Sequence, residues 1–220
     1  MDWNSIAKLS REAFRVGVNE WIGRARIQGG KVSGPSAFLT PGSLVSDTNL
    51  ELRVLQILVG SQVPREISAA LAKILAAAWN EWAAGFQMQL PTAYPSLAAF
   101  PGPFAPPTPA AGTPPVSQGS SAGEASLKAQ LLANRLGSAL RMYPTKLLGE
   151  NQDQAIRSLA NWVEASFNEW KNHATLVGLM GRGPVPMFAP PYVPVGPVIS
   201  GDNLSTGSVF AGPRFGKIVL

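Results

Sequence analysis

The tripeptide Asn-Glu-Trp occurs three times in this 220-residue chain, at 19–21, 80–82 and 168–170. An internal repeat restricts the possible folds more than any average property of a sequence. Aligned on the tryptophans, the preceding residues match as well. Position −3 holds Val18, Trp79 and Phe167, and position −4 holds the small residues Gly17, Ala78 and Ser166. Position −7 holds Phe14, Leu75 and Val163, and position −8 holds Ala13, Ile74 and Trp162. At −11 stand Ser10, Leu71 and Leu159, where the first copy departs from the apolar pattern. Offsets of 3, 4, 7, 8 and 11 trace one face of an α-helix. Each motif therefore closes an amphipathic helix whose apolar stripe ends in tryptophan. The copies are unevenly spaced, which excludes a solenoid of fixed period.

The flanking sequence fills in the units. The first copy predicts a single helix over 3–26. In the second, Thr48-Asn49-Leu50-Glu51 has the pattern of a capping box and opens a helix to about residue 59. Gly60 closes it, and Pro64 suits the first position of a helix running to 86. The third copy predicts helices over 125–142 and 152–173, separated by Pro144 and Gly149. The second and third copies thus read as αα-hairpins. Beyond each motif the chain passes into aromatics set among Pro and Gly: Phe38, then Phe100 and Phe104, then Phe188 and Tyr192. These arms cover 28–47, 87–123 and 175–220, and a chain with 20 Pro and 22 Gly favours polyproline or irregular extended backbone there. Only 208–210 and 217–220 read as short strands, which would need a sheet edge from elsewhere. The expected fold is mainly α, with few or no strands. Its units are 1–47 (helix plus arm), 48–123 and 124–220 (each an αα-hairpin plus arm).

Catalytic chemistry is sparse. The absence of Cys removes disulfides, thiolate metal sites and cysteine nucleophiles. The single histidine, His173, follows the third motif and reads as a polar helix end. Glu20, Glu81 and Glu169 recur, but without the Glu-x-x-His spacing of metal-binding bundles, and read as local pairing groups. No phosphate-binding loop, nucleophile elbow, zinc-protease or dinucleotide motif is present. The glycine-rich run 178–183 precedes a Pro-rich segment instead of a helix N-terminus and reads as a joint. No catalytic, cofactor-binding or metal-binding residue is assigned, and the chain is expected to be no enzyme and to need no cofactor.

Charged residues are only 14% of the chain, against about 25% in typical soluble domains. Contact with other subunits would relieve that shortage. Trp21, Trp82 and Trp170 suit a core first and an interface second. Phe38, Phe100, Phe104, Phe188 and Tyr192 stand on extended backbone that cannot bury them, so they call for a groove on another surface. These eight aromatics are the candidate interface anchors. The net charge of +5 favours anionic partners, yet the densest cluster, Arg24, Arg26 and Lys31, has no stacking platform, so nucleic acid is a weaker expectation. The N-terminal residues lack the pattern of a secretory signal, and no apolar run reaches the ~18 residues of a membrane span. The expectation is a non-catalytic structural component of a large symmetric assembly: a minor or cement-type bacteriophage protein, located in the virion, whose arms bind neighbouring subunits. The alternative is a cytoplasmic or peripheral-membrane protein, acting as a scaffold or laying Trp-bearing amphipathic helices in the lipid interface.

Overall fold

The computed structural model describes residues 1–34, 36–90, 104–109, 112–141, 143, 151–185, 198–205 and 207–217. The motif helices form where the apolar stripes predict them: α1 at Trp3–Gly23, α3 at Arg65–Gly85 and α5 at Gln152–His173. Positions −3, −4, −7 and −11 are buried in all three, whereas −8 is buried only in α1 and α5, with Ile74 of α3 half-buried. Two shorter helices, α2 at Leu50–Gly60 and α4 at Ala129–Leu140, precede the second and third motif helices. The cap of α2 is Asn49, whose Oδ1 accepts the Leu52 N–H at 2.9 Å, one residue after the Thr48 of the capping-box reading. Ahead of α4, residues Ala122–Leu127 wind as a 3₁₀ helix, so the single helix expected over 125–142 is two elements.

The expectation of a mainly helical chain with few or no strands is overturned. Among the described residues the arms form ten strands, eight of them in one antiparallel sheet. The strands are β1 (Ala25–Ser33), β2 (Ser36–Leu39), β3 (Leu44–Ser46), β4 (Phe86–Leu90), β5 (Phe104–Pro109), β6 (Ser120–Ser121), β7 (Thr175–Leu176), β8 (Leu179–Pro184), β9 (Gly201–Ser205) and β10 (Phe210–Ala211). The large sheet runs β5-β8-β9-β1-β2-β4-β6, with β3 also on β1, while β7 pairs with β10. Segments 1–47, 48–123 and 124–220 thereby interleave their strands, and all contribute to one hydrophobic core.

The physical reason is local alternation rewarded by distant pairing. Phe86, Met88 and Leu90 point into the core between exposed Gln87 and Gln89, and Ala37 and Leu39 do the same between Ser36 and Phe38. Proline does not prevent this, because Pro106, Pro107 and Pro109 lie in β5 at the sheet edge, where a missing N–H is tolerated. Glycine is required at one crossing. Gly30 has φ +92°, and a Cβ there would stand 2.6 Å from the Phe38 carbonyl and 2.9 Å from Asn203 Nδ2. Asn203, fully buried, donates to the Lys31 and Phe38 carbonyls at 3.3 and 3.2 Å.

The three copies keep a common path after the motif. Each helix runs into a strand that pairs with a short strand upstream of the next unit: Ala25 with Ser46, Phe86 with Ser121, and Thr175 with Ala211. The Ser46 hydroxyl donates to the Trp21 carbonyl at 3.0 Å, and the Ser121 hydroxyl donates to the Trp82 carbonyl at 2.7 Å. After β3 comes α2, packed between α1 and α3; after β6 comes α4, packed between α3 and α5. After β10 the described chain gives no helix. Instead α1 packs directly on α5, and Phe215 is buried against Phe14 of α1 and Trp162 of α5.

Candidate interaction surface

Trp21, Trp82 and Trp170 are 4%, 0% and 2% exposed, so their surface lies inside the chain and none of them can anchor a neighbour in this fold. They converge on Trp79, the −3 residue of the second copy. Its ring centroid lies 5.5 Å from Trp21, 4.9 Å from Trp82 and 5.6 Å from Trp170. Phe14, Phe167 and Phe215 complete the cluster at 6.5, 6.2 and 5.5 Å. Most of these pairs meet edge to face, the arrangement that ring quadrupoles favour. The motif tryptophans are thus the joint of the three copies.

The motif glutamates do not converge either. Glu20 accepts from Arg53 of α2 at 2.7 and 3.0 Å. Glu81 accepts from Arg135 of α4 at 3.0 Å and from the Ser126 hydroxyl, and that hydroxyl and the guanidinium hold its carboxyl below the usual glutamate range. Among the described residues Glu169 meets only His173 of its own helix, 3.4 Å away. The two arginines occupy the same place in a pattern that sequence reading missed. Leu50-x-x-Arg53-Val54-x-x-x-Leu58 and Leu132-x-x-Arg135-Leu136-x-x-x-Leu140 share L-x-x-R-[VL]-x-x-x-L, with the three apolar positions buried in both. This second repeat was legible as text and marks the helix that latches onto a preceding Asn-Glu-Trp unit.

The motif asparagine acts once in this way. Asn19 Nδ2 donates to the Phe215 carbonyl at 3.1 Å, and its Oδ1 accepts the Phe215 N–H at 3.0 Å. The C-terminal segment is therefore fixed to α1 by a side chain that copies a strand pairing. His173 is exposed at the end of α5, its Nδ1 2.9 Å from the Glu169 carbonyl. Among the described residues the buried polar side chains are Ser10, Ser43, Ser68, Ser126, Gln152, Ser166 and Asn203, none of them ionisable. Among the described residues no three His, Asp or Glu side chains stand close enough to hold a metal ion.

Of the other candidate anchors, Phe100, Phe188 and Tyr192 lie outside the described residues. Phe38 and Phe104 are 38% and 53% exposed, on the sheet face turned away from the core. Phe38 is flanked by Lys31 and Gln89 across the ladder, and Phe104 faces Pro184. They do not touch. Three strands separate β2 from β5, which at about 4.8 Å per strand step sets them roughly 19 Å apart. Between them this outer face carries half-buried Met180 opposite Leu204, and Arg182 bound to Asp202 at 2.9 and 3.1 Å. These apolar positions and that ion pair share the outer face with exposed Gln28, Lys31 and Gln89.

Comparison with protein-family models, with curated proteins and with solved structures finds no match to this chain.

Proposed function

We propose that the chain is a non-catalytic structural component of a larger assembly, a minor or cement-type bacteriophage virion protein that meets neighbouring subunits through the outer face of its sheet. The observation that carries this reading is the exposure of Phe38 and Phe104 on that face. An aromatic on the outer side of a strand gains no burial within the chain, and a fold that buries its six tryptophans and most of its aliphatic residues otherwise sorts apolar side chains inward. Met180, Leu204 and Pro184 extend the apolar positions between the two rings, and the low charge content agrees with a surface meant for contact. The lipid-interface alternative relied on Trp-bearing helices. With Trp21, Trp82 and Trp170 in the core, those helices present polar side chains to solvent and have no aromatic to insert. Among the described residues no helix is long and apolar enough to cross a membrane.

Mass spectrometry of density-purified particles from a culture that makes the protein tests the reading directly. The chain should be present in fixed stoichiometry, and the double variant Phe38→Asp/Phe104→Asp should fold but be depleted from particles. Absence of the chain from particles, or equal incorporation of the double variant, defeats the proposal.

A further inference from the structure

A second surface differs in character from the sheet. Along α1, Lys8, Arg11 and Arg15 follow helical spacing on the side that meets α5, and the Arg11 guanidinium donates to the Ser158 hydroxyl of that helix. The C-terminal segment crosses the same seam. Gly216 lies so close to the Arg15 and Trp162 side chains that a Cβ on it would stand 2.9 Å from each. Arg214 and Lys217, either side of that crossing, are exposed, and Arg214 shares a groove with Arg15 and Asn19. Five cations from two segments thus gather on one face. The acids near them are Glu12, bound to Arg15 at 2.9 and 2.5 Å, and Glu20, which lines the groove of Arg15 and Arg214 and is bound to Arg53. Elsewhere six cations are paired with an acid, Arg26 with Asp47, Arg53 with Glu20, Lys128 with Glu164, Arg135 with Glu81, Lys171 with Glu124, and Arg182 with Asp202, while among the described residues Arg24, Lys31, Arg65, Lys73, Arg141 and Arg157 have no such pair. Among the described residues Lys8, Arg11, Arg214 and Lys217 have no acidic partner.

We propose that this α1–C-terminal face binds the phosphate backbone of nucleic acid. Its composition separates that partner from an acidic protein. Protein interfaces centre on apolar and aromatic side chains and are depleted in lysine, whereas the exposed Phe38, Leu52, Val59, Phe104, Leu131 and Ile199 lie on the sheet side, on α2 or on α4, and of the large exposed apolar side chains among the described residues Met1 alone adjoins α1. A phosphate backbone asks only for exposed positive charge at short intervals. The row from Lys8 to Arg15 is about 10 Å long, a length over which duplex DNA presents about six charges. No base-reading element accompanies the row, so binding is independent of sequence. This inference stands apart from the virion reading, since any compartment that holds nucleic acid would serve.

The test is fluorescence anisotropy of the full chain with a labelled 20-base-pair duplex over a salt series. Two triple variants of equal net charge are compared: Lys8→Gln/Arg214→Gln/Lys217→Gln on the face, and Lys31→Gln/Arg65→Gln/Lys73→Gln away from it. Because it no longer neutralises three phosphates, the face variant should flatten the slope of log K against log salt by about 2.7, while the other variant keeps the wild-type slope. Equal weakening by both triples would reduce the effect to net charge and overturn the proposal. So would failure of the wild-type chain to bind the duplex at low salt, or a preference for polyaspartate over the duplex. Circular dichroism confirms that all three proteins share one fold.

Discussion

Replacing Phe215 by Ala probes whether the C-terminal segment is a structural part of the core or a loose end. The ring is fully buried and meets Phe14, Trp79 and Trp162 edge to face at centroid distances of 5.7, 5.5 and 5.9 Å. Truncating a fully buried phenylalanine costs about 3–5 kcal/mol, because the lost transfer energy adds to the energy of the cavity left behind. Little relaxation is open to this site. Its walls are indole and phenyl rings held by α1, α3 and α5, and the backbone of residue 215 is pinned by both bonds to Asn19. The upper part of that range, about 4 kcal/mol, is therefore expected. For a chain of this size it corresponds to a fall in Tm of roughly 8–16 °C. Urea unfolding followed by tryptophan fluorescence reads it directly, since Trp79 and Trp162 line the cavity. Lys217→Ala, two residues on and exposed, should stay within about 0.5 kcal/mol of wild type. A loss below about 1 kcal/mol for Phe215→Ala would refute the reasoning, because the segment would then not fill the seam between α1 and α5.

Two glycine substitutions should move stability in opposite directions. A Cβ on Gly123 would stand 2.0 Å from the Glu81 carbonyl oxygen, a backbone atom that cannot step aside, so Gly123→Ala should destabilise by at least the ~1–3 kcal/mol typical of overpacking. Gly137, within α4, has open space around it, and Gly137→Ala should stabilise by about 0.5–1 kcal/mol in the same denaturation assay. A pH series examines the Glu81 latch. Its folded carboxyl titrates below its unfolded range because Ser126 and Arg135 favour the ionised form, so its contribution is present above the unfolded range and is lost as pH falls through the folded value. Glu81→Gln should therefore lower stability near neutral pH and show a shallower loss on acidification below about pH 4.5; parallel pH profiles for the two proteins would count against the latch.

The helices were legible because their signal is local. A stripe at 3, 4, 7, 8 and 11 residues before each tryptophan is fixed by the pitch of one helix, and the residues that carry it are the ones the core receives. The arms misled because composition outweighed pattern. Phe86-Gln87-Met88-Gln89-Leu90 alternates cleanly, but it is five residues long and stands next to a Pro-rich stretch, whereas its partner β2 lies far back in the chain. The latch helices were missed for another reason: their repeat shares only four positions in nine, and those gain meaning only when Arg53 and Arg135 are seen to reach matching glutamates.

By itself, the sequence determined that three like helices exist and that large aromatics mark their ends, although it carried the first helix to 26 where the structure ends it at Gly23 and starts β1 at Ala25. Periodicity and tripeptide identity depend on neighbours in the chain, so no partner was needed to read them. Only the tertiary structure decided that the arms become one shared sheet, since β1 has to find β9 and β5 has to find β8, and pairing energy arises between segments that sequence distance keeps apart. It also decided that the tryptophans face each other instead of a neighbour, leaving the outward aromatics to Phe38 and Phe104. A large apolar ring takes whatever dry surface the fold brings within reach. Here Trp79 is brought to the centre by α3 and supplies it to Trp21, Trp82 and Trp170 alike.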